Sequence, residues 1–335
     1  MTARPTIVVT GGAGYIGSHV LLALRDAGWP VVAVDNLVTG VAGLVPEDVP
    51  LVKADCGDAD RMRALLAEHA AGAVMHFAAS TVVPESVADP MKYYLNNAVN
   101  TARLIEACIG AGVGKFIYSS TAAVYGEAGV SFVSEEEPPR PVNPYGKSKL
   151  MGEEMLADAA HAHPFRFVAL RYFNVAGADP AGRSGQATPH ATHLVKVACQ
   201  AAAGVRPFME IYGSDYDTPD GTCVRDYIHV SDLADAHIAA LDHLMSGADS
   251  TVVNCGYGRG YSVLEVIDAV RRVSGVDFDA RRVSRRPGDV AQLVCASRLM
   301  RERFGWRPKH DRLDTIVQTA YGWECRLRDG TAFER

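Results

Sequence analysis

The sequence predicts an α/β fold, a doubly wound parallel sheet with a smaller α/β lobe beside it. Three observations carry this. Short β-branched runs alternate with longer helical stretches over about the first 170 residues, a glycine-rich turn stands between the first strand and the first helix, and the alternation loosens after Asn174. Strand, helix, strand repeated along a chain implies right-handed crossovers, and so parallel strands with helices on both faces.

The strands expected in this first part are residues 6–10, 31–35, 73–77, 115–119 and 166–171, apolar runs closed by turn formers. Helical periodicity covers 15–27, 61–70, a long stretch from 90 to 111, and 144–162. A Gly/Pro-rich stretch at 177–185 and a second loop at 213–221 then separate a strand at 226–230 from helices at 231–245, 263–273 and 313–325. Short strands are expected at 251–254 and 279–283. The division expected is 1–175 for a dinucleotide and 176–335 for a second ligand, with a discontinuous boundary.

Composition narrows the class. With 335 residues, 48% hydrophobic and 21% charged, the chain is neither disordered nor fibrous. A net charge of −6 gives no positive field for nucleic acid or an anionic membrane, and no run of about 18 apolar residues suits a spanning helix. The seven cysteines are scattered without a Cys-x-x-Cys pair, and no signal-peptide pattern opens the chain, so a reducing, cytoplasmic setting is expected.

Spacing sets the chemistry. Gly12-x-Gly14-x-x-Gly17, overlapping Gly11-x-x-Gly14-x-x-Gly17, joins the first strand to the first helix. Glycines there allow a tight turn, close approach to a pyrophosphate and close helix packing, while the helix N-terminus offers free N–H groups to phosphate. Asp35 ends the second strand about 20 residues on, where a carboxylate accepts from an adenosine ribose and repels a 2′-phosphate. NAD is expected rather than NADP. Asp55 follows the apolar Leu51-Val52 in a place suited to adenine.

Tyr145-Gly-Lys-Ser-Lys149 puts a phenol and an ammonium at i and i+4, on one helix face. A free phenol is about 0.1% ionised at neutral pH, and lowering it three units takes about 4 kcal/mol. One cation about 4 Å away supplies roughly that much at an effective dielectric of about 20. Such pairs are common and idle on exposed helices. This one follows a nucleotide-binding turn and a hydroxyl cluster, Ser119-Ser-Thr121, at a strand's carboxyl end, where open α/β sheets bind ligands.

Gly11-Gly-Ala-Gly-Tyr-Ile-Gly17, Ser119-Ser-Thr-Ala-Ala-Val-Tyr-Gly126, Asn143-Pro-Tyr-Gly-Lys-Ser-Lys149, Arg171-Tyr-Phe-Asn174 and Val224-Arg-Asp-Tyr-Ile-His-Val230 resemble the extended short-chain dehydrogenase/reductases, most of all the UDP-galactose 4-epimerases. The resemblance runs from Ile7 to about Trp323. It implies a Rossmann domain, bound NAD, a UDP-sugar substrate and a homodimer. It also implies a cycle: Tyr145 removes the 4′-hydroxyl proton, Lys149 holds the nicotinamide ribose and lowers the Tyr145 pKa, and Thr121 orients the hydroxyl. The 4-keto sugar turns over and is reduced on its other face.

The same resemblance implies cofactor contacts at the turn from Gly11, Gly14, Tyr15, Ile16 and Gly17, and around the adenosine from Asp35, Asn36, Asp55 and Cys56. Phe77, Ala78, Ala79, Asn96, Ser119 and Tyr172 join Tyr145 and Lys149 as further cofactor contacts. Substrate contacts fall to Thr121 and Tyr145 at the sugar, to Asn174, His193, Leu194, Arg225 and Arg286 at the diphosphate, and to Tyr212 and Asp289 at the uridine. No metal is expected, and His190 beside His193 makes no patterned ligand set.

Departures from the family pattern bear on specificity. Thr81 stands where some members carry a Lys toward the cofactor, His193 replaces an Asn, and Leu293 takes a place that is Tyr in members limited to plain hexoses. An intermediate side chain there leaves N-acetylhexosamines open, and a UDP-pentose is open because no matched anchor is specific for the C6 hydroxymethyl. A 4,6-dehydratase needs an acid after the threonine, and the chain has Ala122-Ala123. A non-catalytic dinucleotide sensor has no use for Thr121, Tyr145 and Lys149 together.

Overall fold

The computed structural model describes residues 4–333 apart from 131, 189, 190, 287 and 297. Along the chain come strands β1 (Thr6–Thr10), β2 (Val31–Asp35), β3 (Leu51–Lys53), β4 (Ala71–His76), β5 (Lys115–Thr121) and β6 (Arg166–Tyr172). The strand Thr251–Cys255 from the second half completes one seven-stranded sheet, in which it pairs with β6 and the order continues β5, β4, β1, β2, β3. Every neighbouring pair in it is parallel. Ile7–Val9, Val31–Val34, Ala73–Met75 and Phe116–Tyr118 are buried without a break. Strands covered on both faces read as continuous apolar runs, which is why the sequence marks them.

Chain order reverses between β1 and β4, and the crevice at their carboxyl ends is where such sheets bind ligands. The helices around it are α1 (Tyr15–Asp26), α2 (Ala59–Glu68), α3 (Val83–Ala88), α4 (Pro90–Tyr93), α5 (Asn100–Gly110) and α6 (Pro144–Ala162). The single long helix expected over 90–111 is instead α4, a π-helical stretch Tyr94–Val99, and α5. The wider turn points Asn97 inward: its Nδ2 donates to Ser80 O (2.9 Å) and Ser148 Oγ (3.1 Å), and its Oδ1 accepts from Ser80 N (2.8 Å).

The remaining strands are β7 (Asn174–Ala176), β8 (Met209–Tyr212), β9 (Val224–His229), β10 (Thr251–Cys255, the seventh strand above), β11 (Gly260–Ser262), β12 (Ala280–Val283) and β13 (Gln292–Leu293). β9 sits between β11 and β13 and also pairs with β7, while β8 pairs with β12. The helices here are α7 (Leu194–Ala202), α8 (Val230–Met245), α9 (Val263–Ser274), α10 (Arg298–Arg303) and α11 (Leu313–Arg328). α7, α9 and α11 pack together, and α8 packs on α1, so the two lobes share one core. Among the described residues no helix is long and apolar enough to cross a membrane.

Candidate active site

At the glycine turn, Gly11 has φ +72, and a Cβ there would meet Ala78 N at 2.5 Å; one on Gly17 would run into Gly11 O. The turn is therefore closed around glycines, with α1 tight behind it. Helix α1 begins at Gly14 with no capping side chain and no acid in its first turn. The N–H groups of Tyr15, Ile16 and Gly17 at the positive end of the helix suit a dinucleotide's diphosphate. The Tyr15 phenol donates to Gly177 O (2.6 Å), tying this turn to the segment after β7.

Asp35, buried at the end of β2, accepts from Ala13 N (3.0 Å) and Leu37 N (2.8 Å), which fixes its carboxylate beside the turn. Asn36 Nδ2 donates to Asp55 Oδ2 (3.2 Å), so the two adenosine-side candidates stand together, with buried Cys56 next to them. Phe77, Ala78 and Ala79 follow β4, where Phe77 N donates to Thr10 O (2.9 Å) across the switch point. Asn96 reaches the same segment through Ser80 Oγ (3.1 Å). Thr81 is exposed at its end.

Helix α6 starts at Asn143, whose Oδ1 accepts from Gly146 N (2.9 Å), with Pro144 at its first position. That cap sets Tyr145 in the first turn, buried over the carboxyl end of β5. The Thr121 side chain acts on the Tyr145 phenol and favours its ionised form. Lys149, one turn later and 2% exposed, donates to Ser119 O (2.9 Å), and its Nζ lies 4.9 Å from the centre of the Tyr118 ring. Ser119 Oγ meets Tyr172 OH at 2.5 Å.

Burial raises the Tyr145 pKa and the Thr121 side chain opposes it. Burial also brings Lys149 down to about 7, with Cys56 and Glu153 working against that fall, and its ammonium is turned to the Ser119 carbonyl.

The substrate candidates form three groups. Asn174 opens β7 and shares a pocket with His193, Leu194, Gln186 and Trp323, where Gln186 Nε2 meets His193 Nδ1 at 2.7 Å. Tyr212 is half exposed with the Arg286 guanidinium 5.1 Å from its ring centre, and Arg286 pairs with Asp289 (3.1 Å). Arg225 on β9 stands in register with Leu293 on β13, and Leu293 packs with Ala122, next to Thr121. No hydrogen bond among the described residues joins the three groups. Pro287 and His190 lie outside the described residues, and among those described no cluster of His, Cys, Asp and Glu has the arrangement of a metal site.

Sequence reasoning missed Glu153 and Arg171, a buried ion pair at the foot of the site. The spacing held a signal: Tyr145, Lys149 and Glu153 repeat every four residues, one stripe of α6. It also missed the buried Lys196–Glu324 pair beneath His193.

The NAD dependent epimerase/dehydratase family matches residues 7–256. A UDP-glucose 4-epimerase of Azospirillum brasilense is 58% identical over 325 residues, 97% of this chain and 93% of that one. The crystal structure of UDP-glucose 4-epimerase from Brucella ovis in complex with NAD has a TM-score of 0.93 at 42% identity, covering 96% of this chain and 99% of its own. That from Bifidobacterium longum in complex with NAD+ and UDP has a TM-score of 0.91 at 36% identity, covering 98% and 99%.

Proposed function

The chain belongs to the NAD dependent epimerase/dehydratase family, and from that membership and its site we propose that it interconverts UDP-galactose and UDP-glucose at C4 with NAD held in the glycine-turn crevice. The observation that carries the reading is Tyr145 buried over the carboxyl end of β5, with Thr121 acting on its phenol and Lys149 one turn below, beside the uncapped start of α1.

In this reading NAD held at the glycine turn would supply reversible hydride transfer at C4 of the sugar. Tyr145 Oη takes the proton of the sugar 4′-hydroxyl, Thr121 orients that hydroxyl and relays its proton, and Lys149 holds the ribose and supplies positive charge. Asp35 favours an unphosphorylated adenosine ribose. Anchoring rests on the diphosphate, with Arg225, Arg286, Asn174 and the start of α7 at His193 and Leu194; Arg forks suit phosphate oxygens. Tyr212 and Asp289 address the uridine. A sugar held only through its diphosphate is free to turn, and the 4-keto form then offers its other face, so Tyr145 gives the proton back to the inverted alcohol. Residues 1–175 thus serve chiefly the cofactor and 176–335 the UDP-sugar, with β10 crossing that line.

Two further readings go with it. A homodimer is supported by Met91, Leu95 and Val99, exposed apolar residues one turn apart, with Val87 and Met151 also exposed on α3 and α6. A cytoplasmic setting is supported by seven free cysteines, six of them buried. The experiment for the activity is incubation of purified protein with UDP-galactose and no added cofactor, with products read by NMR. UDP-glucose is expected; no conversion, or conversion only on adding NADP, overturns the reading.

A further inference from the structure

Glu153 lies one turn past Lys149 on α6 and is 4% exposed. Its carboxylate accepts from Arg171 Nη2 (2.6 Å) and Nε (3.0 Å), and from the Ser120 hydroxyl. Arg171 Nη1 donates to Tyr125 OH (2.9 Å), which donates to Asn254 Oδ1 (2.7 Å). Two charges withdrawn from water gain little over apolar residues of like volume, so stability alone is a weak account of them. Their placement is informative. Ser120 stands between Ser119, whose carbonyl holds Lys149, and Thr121, whose side chain acts on Tyr145. Glu153 thus ties the strand end that carries both contacts to α6, the helix of Tyr145 and Lys149.

We infer that Glu153 is a positioning residue of the Tyr145/Lys149 pair: through Ser120 and Arg171 it fixes the strand end that holds both, and it offsets the buried Arg171 charge beneath them. The inference rests on the catalytic reading above. The other groups set against Lys149 are Tyr118 on β5, His76 on β4 and Cys56 after β3; none of these is a carboxylate. Burial lowers the Lys149 pKa to about 7, and Cys56 and then Glu153 work against that fall.

The test is Glu153→Gln, with bound NAD, thermal midpoint, KM, kcat and the pH profile of kcat measured. Arg171 left unpaired adds positive charge, so Lys149 sheds its proton earlier. The alkaline limb is expected to move about one pH unit or more toward acid, and kcat at pH 8 to fall about tenfold or more while KM for UDP-galactose changes less than about twofold. If that variant does not fold, Glu153→Gln with Arg171→Gln carries the test: the limb returns near its original place while kcat stays about tenfold down. Original kcat and limb in a folded variant, or a loss confined to KM, overturns the inference. Tyr145→Phe and Lys149→Met run alongside separate the two claims. Turnover surviving in those sinks the catalytic reading, whereas its loss there with an unchanged Glu153→Gln sinks only this inference.

Discussion

Tyr145 is buried, with Thr121 acting on its phenol and a lysine whose pKa burial lowers to about 7 one turn below. Removing its hydroxyl leaves the turn, Asp35 and the strand ends in place. Tyr145→Phe is therefore expected to retain NAD, read by absorbance of the purified protein, and to lose about 10²- to 10⁴-fold in turnover. A fully active variant refutes the proton transfer assigned here. Leu293 makes a second argument at this scale. It is 9% exposed within the buried cluster that also holds Ala122 and Phe173, so a larger side chain must crowd the cluster that adjoins Thr121. Leu293→Tyr is expected to lower kcat/KM for UDP-N-acetylgalactosamine relative to UDP-galactose by about tenfold or more. An unchanged ratio places the sugar elsewhere.

Elements turn these side chains into a site. The β1–α1 turn depends on Gly17 more than on Gly14, since a Cβ on Gly17 strikes Gly11 O while one on Gly14 stands 3.1 Å from it. Gly17→Ala is expected to purify without NAD and melt lower, with Gly14→Ala milder in both; equal behaviour counts against the packing account. The α4 to α5 stretch tests association: Leu95→Glu puts a charge in the Met91–Leu95–Val99 stripe and is expected to give a monomer by light scattering, and a dimer that persists removes that face from the interface. What the sequence disclosed follows the same division. Long buried strands and α6 were legible because apolar runs and caps are local signals. β7, β8, β11 and β13 span two to four residues, too few to show an alternation, and their pairing depends on distant partners. The Tyr145/Lys149 pair was legible as spacing within one helix. Its electrostatics were not, because the turn of Lys149 toward Ser119 O depends on how α6 lies across β5.

On the scale of the whole molecule, a net charge of −6 conceals an interior that resists protons. Four histidines on four different elements are buried: His19 on α1, His76 on β4, His229 on β9 and His237 on α8. Burial lowers the pKa of His19 and His237 to about 4 and that of His76 and His229 to about 3. His76 shows why: its ring is held between the hydroxyls of Thr10 (2.6 Å) and Thr101 (3.0 Å), so a charged imidazole has no water to turn to. In the unfolded chain each takes up a proton near pH 6.5. As pH falls below 6.5 the unfolded state therefore binds protons that the folded state refuses, and stability is lost steadily until the folded values are reached. At pH 5 the loss is about 2 kcal/mol for each histidine, and four together come to the same order as a domain's whole stability of about 5–15 kcal/mol. Thermal midpoints measured from pH 7.5 to 4.5 are expected to fall throughout as pH falls, with a slope that steepens toward four protons per unfolding event below 6.5. His237→Gln, which keeps a polar side chain beside Phe77 and Tyr172, should make that slope shallower by about one proton. A midpoint level from pH 7 to 5 shows these rings to be charged or wet in the folded protein.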